Sequence, residues 1–361
     1  MKRPDLIAGG VMFLATLAVY FPYLGDAQVL FAYWDGPHYV YVAKTLYVTP
    51  ADHPFKSYGL PASYFACHLP LYPLLIRVMT VPAGGDYFTA MLAATIITSV
   101  AASVLFYRLL VVFELSENPL WLAILFAFLP PRWLIYHSVG ASEPLFLCLV
   151  FGAFLAFKAE RPWMVMGCLL GASITRITGL MLLPLFMGFY AWRRDWRSTA
   201  IMPLAGIGLL LTFAWHAQVY GDFLAYFHYN VGQAGLVRAT PFELFRTYAS
   251  HPEFAVTEYH LGLYLVYGIG TLALWPRREF FAYCALFFAF NCFVFHVDSS
   301  RYFLPIAPFA LLVGYGPILT RPACRWILPL VLYLGYFYAW KFLPFNICAP
   351  DTMRALAQAL R

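Results

Sequence analysis

Apolar residues recur in runs of about 20 along almost the whole chain, separated by short polar breaks. That length matches the hydrocarbon thickness of a bilayer, where only helices and closed barrels satisfy their own backbone groups. The runs predict spans near 6–24, 87–113, 119–136, 143–158, 162–176, 177–192, 198–219, 260–276, 279–297, 302–320 and 326–345. The pattern is that of an all-α polytopic integral membrane protein with about 11 transmembrane helices and a single domain over 1–361. The stretches 162–176 and 177–192 are short, and charge decides how to read them. Lys and Arg of short loops collect on the cytoplasmic side. With two spans there, the inner face carries twelve basic and six acidic residues, whereas one long helix would send Arg193, Arg194 and Arg197 outside. Two spans are expected.

This topology leaves two long outer loops, 25–86 and 220–259, and gathers the titratable groups there. All nine histidines, His38, His53, His68, His137, His216, His228, His251, His260 and His296, fall at or near that face. Longer loops are simply more polar, which is one explanation; an outward-facing site roofed by the two loops is the other. Within the first loop, Tyr39–Val48 reads as an amphipathic interfacial helix with aromatic and Lys anchors. His68–Met79 reads as a second short one, whose Pro70 and Pro73 suit a helix start or a kink. Residues 350–361 predict an amphipathic terminal helix with Asp351 as N-cap. The run Leu6–Leu24 is long for a signal peptide and has no convincing cleavage site, so a retained first helix is expected.

Composition sharpens the class. Charged residues make up 11% of the chain and hydrophobic ones 62%, against about a quarter charged in soluble domains. The formal charge of +6 follows from the inner-face bias and does not point to nucleic acid. Seven cysteines without a Cys-x-x-Cys pair suggest neither a zinc site nor a disulfide framework, although Cys67 and Cys348 fall on one side and could pair. Mid-span charge is scarce and no internal repeat is visible, which disfavours a transporter or flippase of lipid-linked sugars, the alternative to an enzyme.

Trp34-Asp35-Gly36-x-x-Tyr39, with Ala43 and Tyr47 following, resembles the first outer loop of the GT-C glycosyltransferases. The likeness is greatest to the glycosylphosphatidylinositol mannosyltransferase II-like (PIG-V-like) branch and its prokaryotic relatives. Pro70-Leu-Tyr72-Pro73-Leu-Leu-Ile-Arg77, Ser142-Glu143-Pro-Leu-Phe146 and Ala172-Ser173-Ile-Thr175-Arg176-Ile-Thr-Gly179-Leu180 resemble further segments of that family, in the same order. Gly221-Asp222-Phe-Leu-Ala225 and Arg301-Tyr302-x-Leu-Pro305 are fainter echoes. His68-Leu69 stands where the family has an aromatic pair, and Pro37-His38 where it has two bulky residues. The resemblance implies an inverting transferase that takes a sugar, most often mannose in this branch, from a polyprenyl-phosphate donor. The acceptor would be a glycolipid, glycan or protein outside the cytoplasm, and the short form leans towards a prokaryotic plasma membrane.

That chemistry needs one base for the acceptor hydroxyl and positive charge on the leaving phosphate. Asp35 suits the base, or else it is a helix cap at the water interface. Arg176, an isolated charge in apolar sequence, suits phosphate capture or an ion pair with Glu143 or Asp298. Arg301 suits phosphate contact or an interfacial anchor, and Arg77 suits an anchor. Glu143 fits a helix start favoured by the dipole, or a contact to the sugar. Trp34 and Tyr39 suit sugar stacking, while His38, His68 and Tyr302 are further sugar or acceptor contacts. Asp35, His38 and His68 are also types a divalent metal accepts. No pair stands at a motif spacing such as His-x-x-x-His, so no metal or other cofactor is expected.

Overall fold

The computed structural model describes residues 3–249 and 254–361; His251, expected on the outer face, lies outside them. The described residues are mostly helical with no β-strand among them, apart from two isolated bridges. Arg3–Tyr23, Tyr87–Val112, Trp196–Tyr220 and Pro322–Phe345 are long and apolar enough to cross a membrane. Pro162–Ser173 and Ile177–Trp192 are apolar but shorter. They are separate helices that meet at an extended residue, Arg176 (φ −144°, ψ 137°), in line with the split expected from charge.

Tyr87–Val112 is the central element, packed against Arg3–Tyr20, Leu71–Met79 and Glu143–Lys158. Its start is fixed by Asp86, whose carboxylate accepts from Phe88 N at 3.0 Å and Thr89 N at 3.3 Å. Small residues let the first helix lie close to it, and Ser103 Oγ donates to Ala8 O at 3.0 Å. Arg108 and Asp5, expected on the same face, form a two-point ion pair with a 3.0 Å shorter arm. Phenylalanines fill the space behind, with Phe106, Phe126, Phe151, Phe154 and Phe309 fully buried. Ring centres such as Phe106–Phe126 (5.0 Å) and Phe154–Phe309 (5.7 Å) lie at the usual spacing of tilted and edge-on pairs.

Two expected spans are broken. The 119–136 run divides into Pro119–Phe126 and Pro131–Tyr136, because Pro130 and Pro131 lack the N–H groups that would continue the first helix. The 302–320 run becomes Ser299–Tyr302, a wide turn over Pro308–Val313 and Gly316–Leu319. Pro305, Pro308 and Pro317 interrupt the ladder there for the same reason.

The short elements that carry the polar residues shift in register. The first interfacial helix runs Asp35–Thr45, not 39–48, and ends where Leu46 and Tyr47 take positive φ. Asp35 therefore sits inside the first turn, after Trp34. The second runs Leu71–Met79 with Pro70 as its cap, and Leu71 N is bonded to Ile174 O at 3.0 Å. Arg77 is not a free anchor: its Nη1 donates to Ala43 O at 3.0 Å and Lys44 O at 3.2 Å, closing the end of the Asp35–Thr45 helix. The terminal helix is Pro350–Leu360, capped by Ala349 and not by Asp351, which pairs with Arg354. Just before it, residues 346–348 lie antiparallel to 32–34, through Trp34 N to Asn346 O (3.0 Å) and Cys348 N to Ala32 O (2.8 Å). Cys67 and Cys348 are both free thiols.

Candidate functional site

Four charged side chains from distant parts of the sequence meet in one alternating row. Arg301 Nη1 bonds to the Asp35 carboxylate. Its Nε donates to Glu143 Oε1 at 2.6 Å, and the same oxygen lies 2.7 Å from Arg176 Nη1. Glu143 is almost fully buried, whereas Asp35, Arg176 and Arg301 keep between 15% and 19% of their side-chain surface exposed. The row is thus rooted in the protein at Glu143 and open at the two guanidiniums and at Asp35. The Arg301 guanidinium stacks on the ring of Tyr136, 4.5 Å from its centre. Glu143 Oε2 is buried with no hydrogen-bond partner.

Backbone packing assembles the row. Asp35 is held from one side by the pairing of 32–34 with 346–348. From the other side, Gly36 rests on Gly140, where a side chain on Gly140 would strike Gly36 Cα and Met91 Sδ. That contact brings the Asp35 turn beside the turn carrying Ser142 and Glu143. Arg176 is aimed by a second close approach, because Gly179 lies on the backbone of Ala172 and Ser173 with no room for a Cβ. Ser142 Oγ links the parts, accepting from Tyr39 OH at 3.0 Å and Arg176 Nη1 at 3.4 Å.

The other candidate residues surround this row. Tyr39 is buried, with its ring edge-on to His68 and Tyr72 at 4.9 Å each. Trp34 is half-buried against His38 (5.3 Å) and Tyr58 (5.2 Å). Tyr302 is half-buried beside Arg301, near the His296 ring at 5.4 Å. His38 and His68 are buried next to Asp35, their ring centres 5.3 Å apart. Asp298 does not pair with Arg176; Arg132 takes it, and Arg132 also bonds to Tyr338 OH at 2.8 Å. His228 lies outside the cluster, with its ring 2.7 Å from Asp222 at the surface. A cavity of about 560 Å³ lined by Asp52, His53, Lys56, Ser57, Asp351 and Thr352 shares no residue with the row.

Burial alone would raise the Asp35 carboxyl, but the Arg301 guanidinium beside it holds it down at about 2, so it is ionised throughout the physiological range. Burial pushes the His38 ring down to about 3 and His68 to about 4, the second opposed by the Asp35 charge. Both imidazoles are therefore neutral at physiological pH. Sequence spacing gave no sign of Tyr136 beneath Arg301. Spacing did not place His68 against Asp35 and His38 either, although ligand type grouped the three; the rest of the Asp35–Thr45 helix and two short helical turns lie between residues 38 and 68.

No protein-family model and no curated protein matches this chain. Among solved structures it is similar to the crystal structure of the Archaeoglobus fulgidus oligosaccharyltransferase in complex with zinc and sulfate. The two share 15% identity at a TM-score of 0.48, over 96% of this chain and 53% of the other. The chain thus spans about half the length of that enzyme.

Proposed function

We propose that the protein is an inverting membrane glycosyltransferase that moves a sugar, mannose by its sequence resemblance, from a polyprenyl-phosphate donor to an acceptor hydroxyl on the extracytoplasmic side. The observation that carries this is the row Asp35–Arg301–Glu143–Arg176, which sets an ionised carboxylate beside two partly open guanidiniums. Asp35 takes the acceptor proton as the acceptor oxygen bonds to the anomeric carbon. The bond from that carbon to the phosphate oxygen breaks, and its electron pair leaves with the phosphate. Arg301 and Arg176 hold the negative charge that grows there, as planar forks suited to phosphate oxygens. Glu143 keeps both guanidiniums in place, which an isolated pair of cations would resist. Trp34, His38, Tyr39, His68 and Tyr302 flank the sugar and acceptor positions.

The Asp35–Arg301 pair adds a requirement. While Arg301 binds the carboxylate, Asp35 is a weak base. A donor phosphate that draws Arg301 towards itself raises the basicity of Asp35 when the acceptor needs it.

The test is transfer from radiolabelled polyprenyl-phosphate-mannose to a mixed extract of glycolipids, glycans and proteins, with wild type and Asp35→Asn in parallel. A labelled product that disappears in Asp35→Asn is expected. Wild type giving no product with mannose, glucose or galactose donors would overturn the assignment.

A further inference from the structure

Asp35, His38 and His68 each offer a ligand atom, and these atoms all lie within 4.8 Å of one another. Asp35 and His38 are three residues apart on one helix and so share its face. His68 arrives from the end of the 62–67 turn, its backbone held by Tyr47 OH, which donates to His68 O at 2.7 Å.

The histidines are not satisfied by the protein. His38 is fully buried, yet neither ring nitrogen has a hydrogen-bond partner, and His68 Nδ1 also lacks one. The surroundings of His38 are aromatic, with Phe55 at 4.4 Å and Tyr64 at 5.1 Å between ring centres. A buried polar atom left without a partner costs about 1–3 kcal/mol. One nitrogen from each imidazole and one carboxylate oxygen come together here, which points to a missing ligand that accepts electron pairs from neutral nitrogens and from an anion.

We infer that Asp35, His38 and His68 bind a divalent transition-metal ion of the zinc class. Two imidazoles and one carboxylate suit zinc and its neighbours far better than magnesium or calcium, which take oxygen ligands. Three protein ligands leave a tetrahedral site one open position. Ligand atoms at normal bond lengths stand about 3.4 Å apart, so side-chain rotations of roughly an ångström close the site. The burial that keeps both imidazoles neutral favours the form that ligates metal.

The ion changes the neighbouring row. It competes with Arg301 for the Asp35 carboxylate, and it adds two positive charges to four side chains whose charges cancel. Arg301 is then freer for an anion, so metal and phosphate bind cooperatively at this end of the site. If the open position holds the acceptor hydroxyl, the ion makes that proton easier to remove; this last point rests on the transferase assignment, while the binding site does not.

The experiment uses the full-length protein in detergent, stripped with a chelator and dialysed against zinc, with bound metal measured by mass spectrometry and titration. One zinc per chain is expected, with affinity reduced about 100-fold or more in His68→Ala and His38→Leu, since losing outer partners of a metal ligand already costs about 10–100-fold. Replacing an unsatisfied buried ring by an apolar side chain need not destabilise. His38→Leu should therefore match or exceed the metal-free wild type in melting temperature while losing the rise that zinc produces. Cobalt(II) in the wild type alone is a second, spectroscopic test: absorption of a low-coordinate nitrogen and oxygen site supports the assignment, and the spectrum of hydrated cobalt overturns it. Wild type that retains no stoichiometric zinc, or variants that bind it as wild type does, would also overturn it. All these readouts are independent of sugar transfer, so a failure here leaves the transferase test untouched.

Discussion

Gly140 lies so close to Gly36 that a methyl group on it would stand 2.6 Å from the Gly36 Cα and closer still to Met91 Sδ. No Cβ is accommodated at such distances. The turn carrying Asp35 and the turn carrying Glu143 are registered through bare backbone. We expect Gly140→Ala to cost about 1–3 kcal/mol, as overpacking does, and to reduce transfer further by spreading the charged row. Thermal unfolding in detergent measured beside transfer rate checks this; an unchanged melting temperature and rate would show that the contact is slack.

Arg301 serves two carboxylates and Arg176 one. Removing one partner of a buried ion pair costs about 3–5 kcal/mol, because a buried charge is left uncompensated. Arg301→Ala should therefore destabilise by that order, and Arg176→Ala by less. Adding Asp35→Asn to Arg301→Ala should restore part of the loss by removing the orphaned charge, since Glu143 keeps Arg176. A double-mutant cycle in denaturant measures it, and additive effects would show that the two side chains are uncoupled.

Arg77 is far from the charged row in sequence, yet it closes the helix on which Asp35 and His38 stand. The side chain is exposed, so solvent screens it and Arg77→Gln should cost only about 1 kcal/mol. Its effect on transfer should appear as a modest fall in kcat with the donor KM unchanged. A large rise in donor KM would instead place Arg77 on the phosphate.

Cys348 provides a chemical probe of the strap formed where 346–348 pair with 32–34. Burial, helped by the Asp35 charge, raises its thiol to about 12. The thiolate is the reactive form, and at pH 8 it amounts to about one part in ten thousand, four pH units below that value. Alkylation should be very slow at pH 8 and accelerate about tenfold per pH unit above it. Fast labelling of Cys348 at neutral pH in the folded protein would mean that the strap is open.

Much of this was readable along the chain, for identifiable reasons. Arg176 and Arg301 stand out because charge in apolar surroundings is expensive, Glu143 because it opens a helix and Asp35 through its motif, and the structure gathers all four. The break at Arg176 was readable from loop charge, and the start of the Tyr87–Val112 helix lies just after its Asp86 cap. The divided 119–136 and 302–320 runs were misjudged because hydropathy averages over proline, whose missing N–H acts at single positions. Ligand type grouped His68 with Asp35 and His38, but nothing local in its segment records which helix its loop will fold against. Asp298, with an arginine three residues away at 301, gave no hint that Arg132 would take it instead.

The strap also has a consequence in time. Residues 32–34 finish their backbone bonds only with 346–348, more than 300 residues further on. At about 5–20 residues per second, a ribosome needs roughly 15–60 s to make the chain between them. Throughout that interval the Asp35 turn waits, half-built, in a growing polypeptide. The order in which the turn closes is thus set by synthesis: the Asp35 end of the charged row gains its last backbone partners only after every other member of the row has been made.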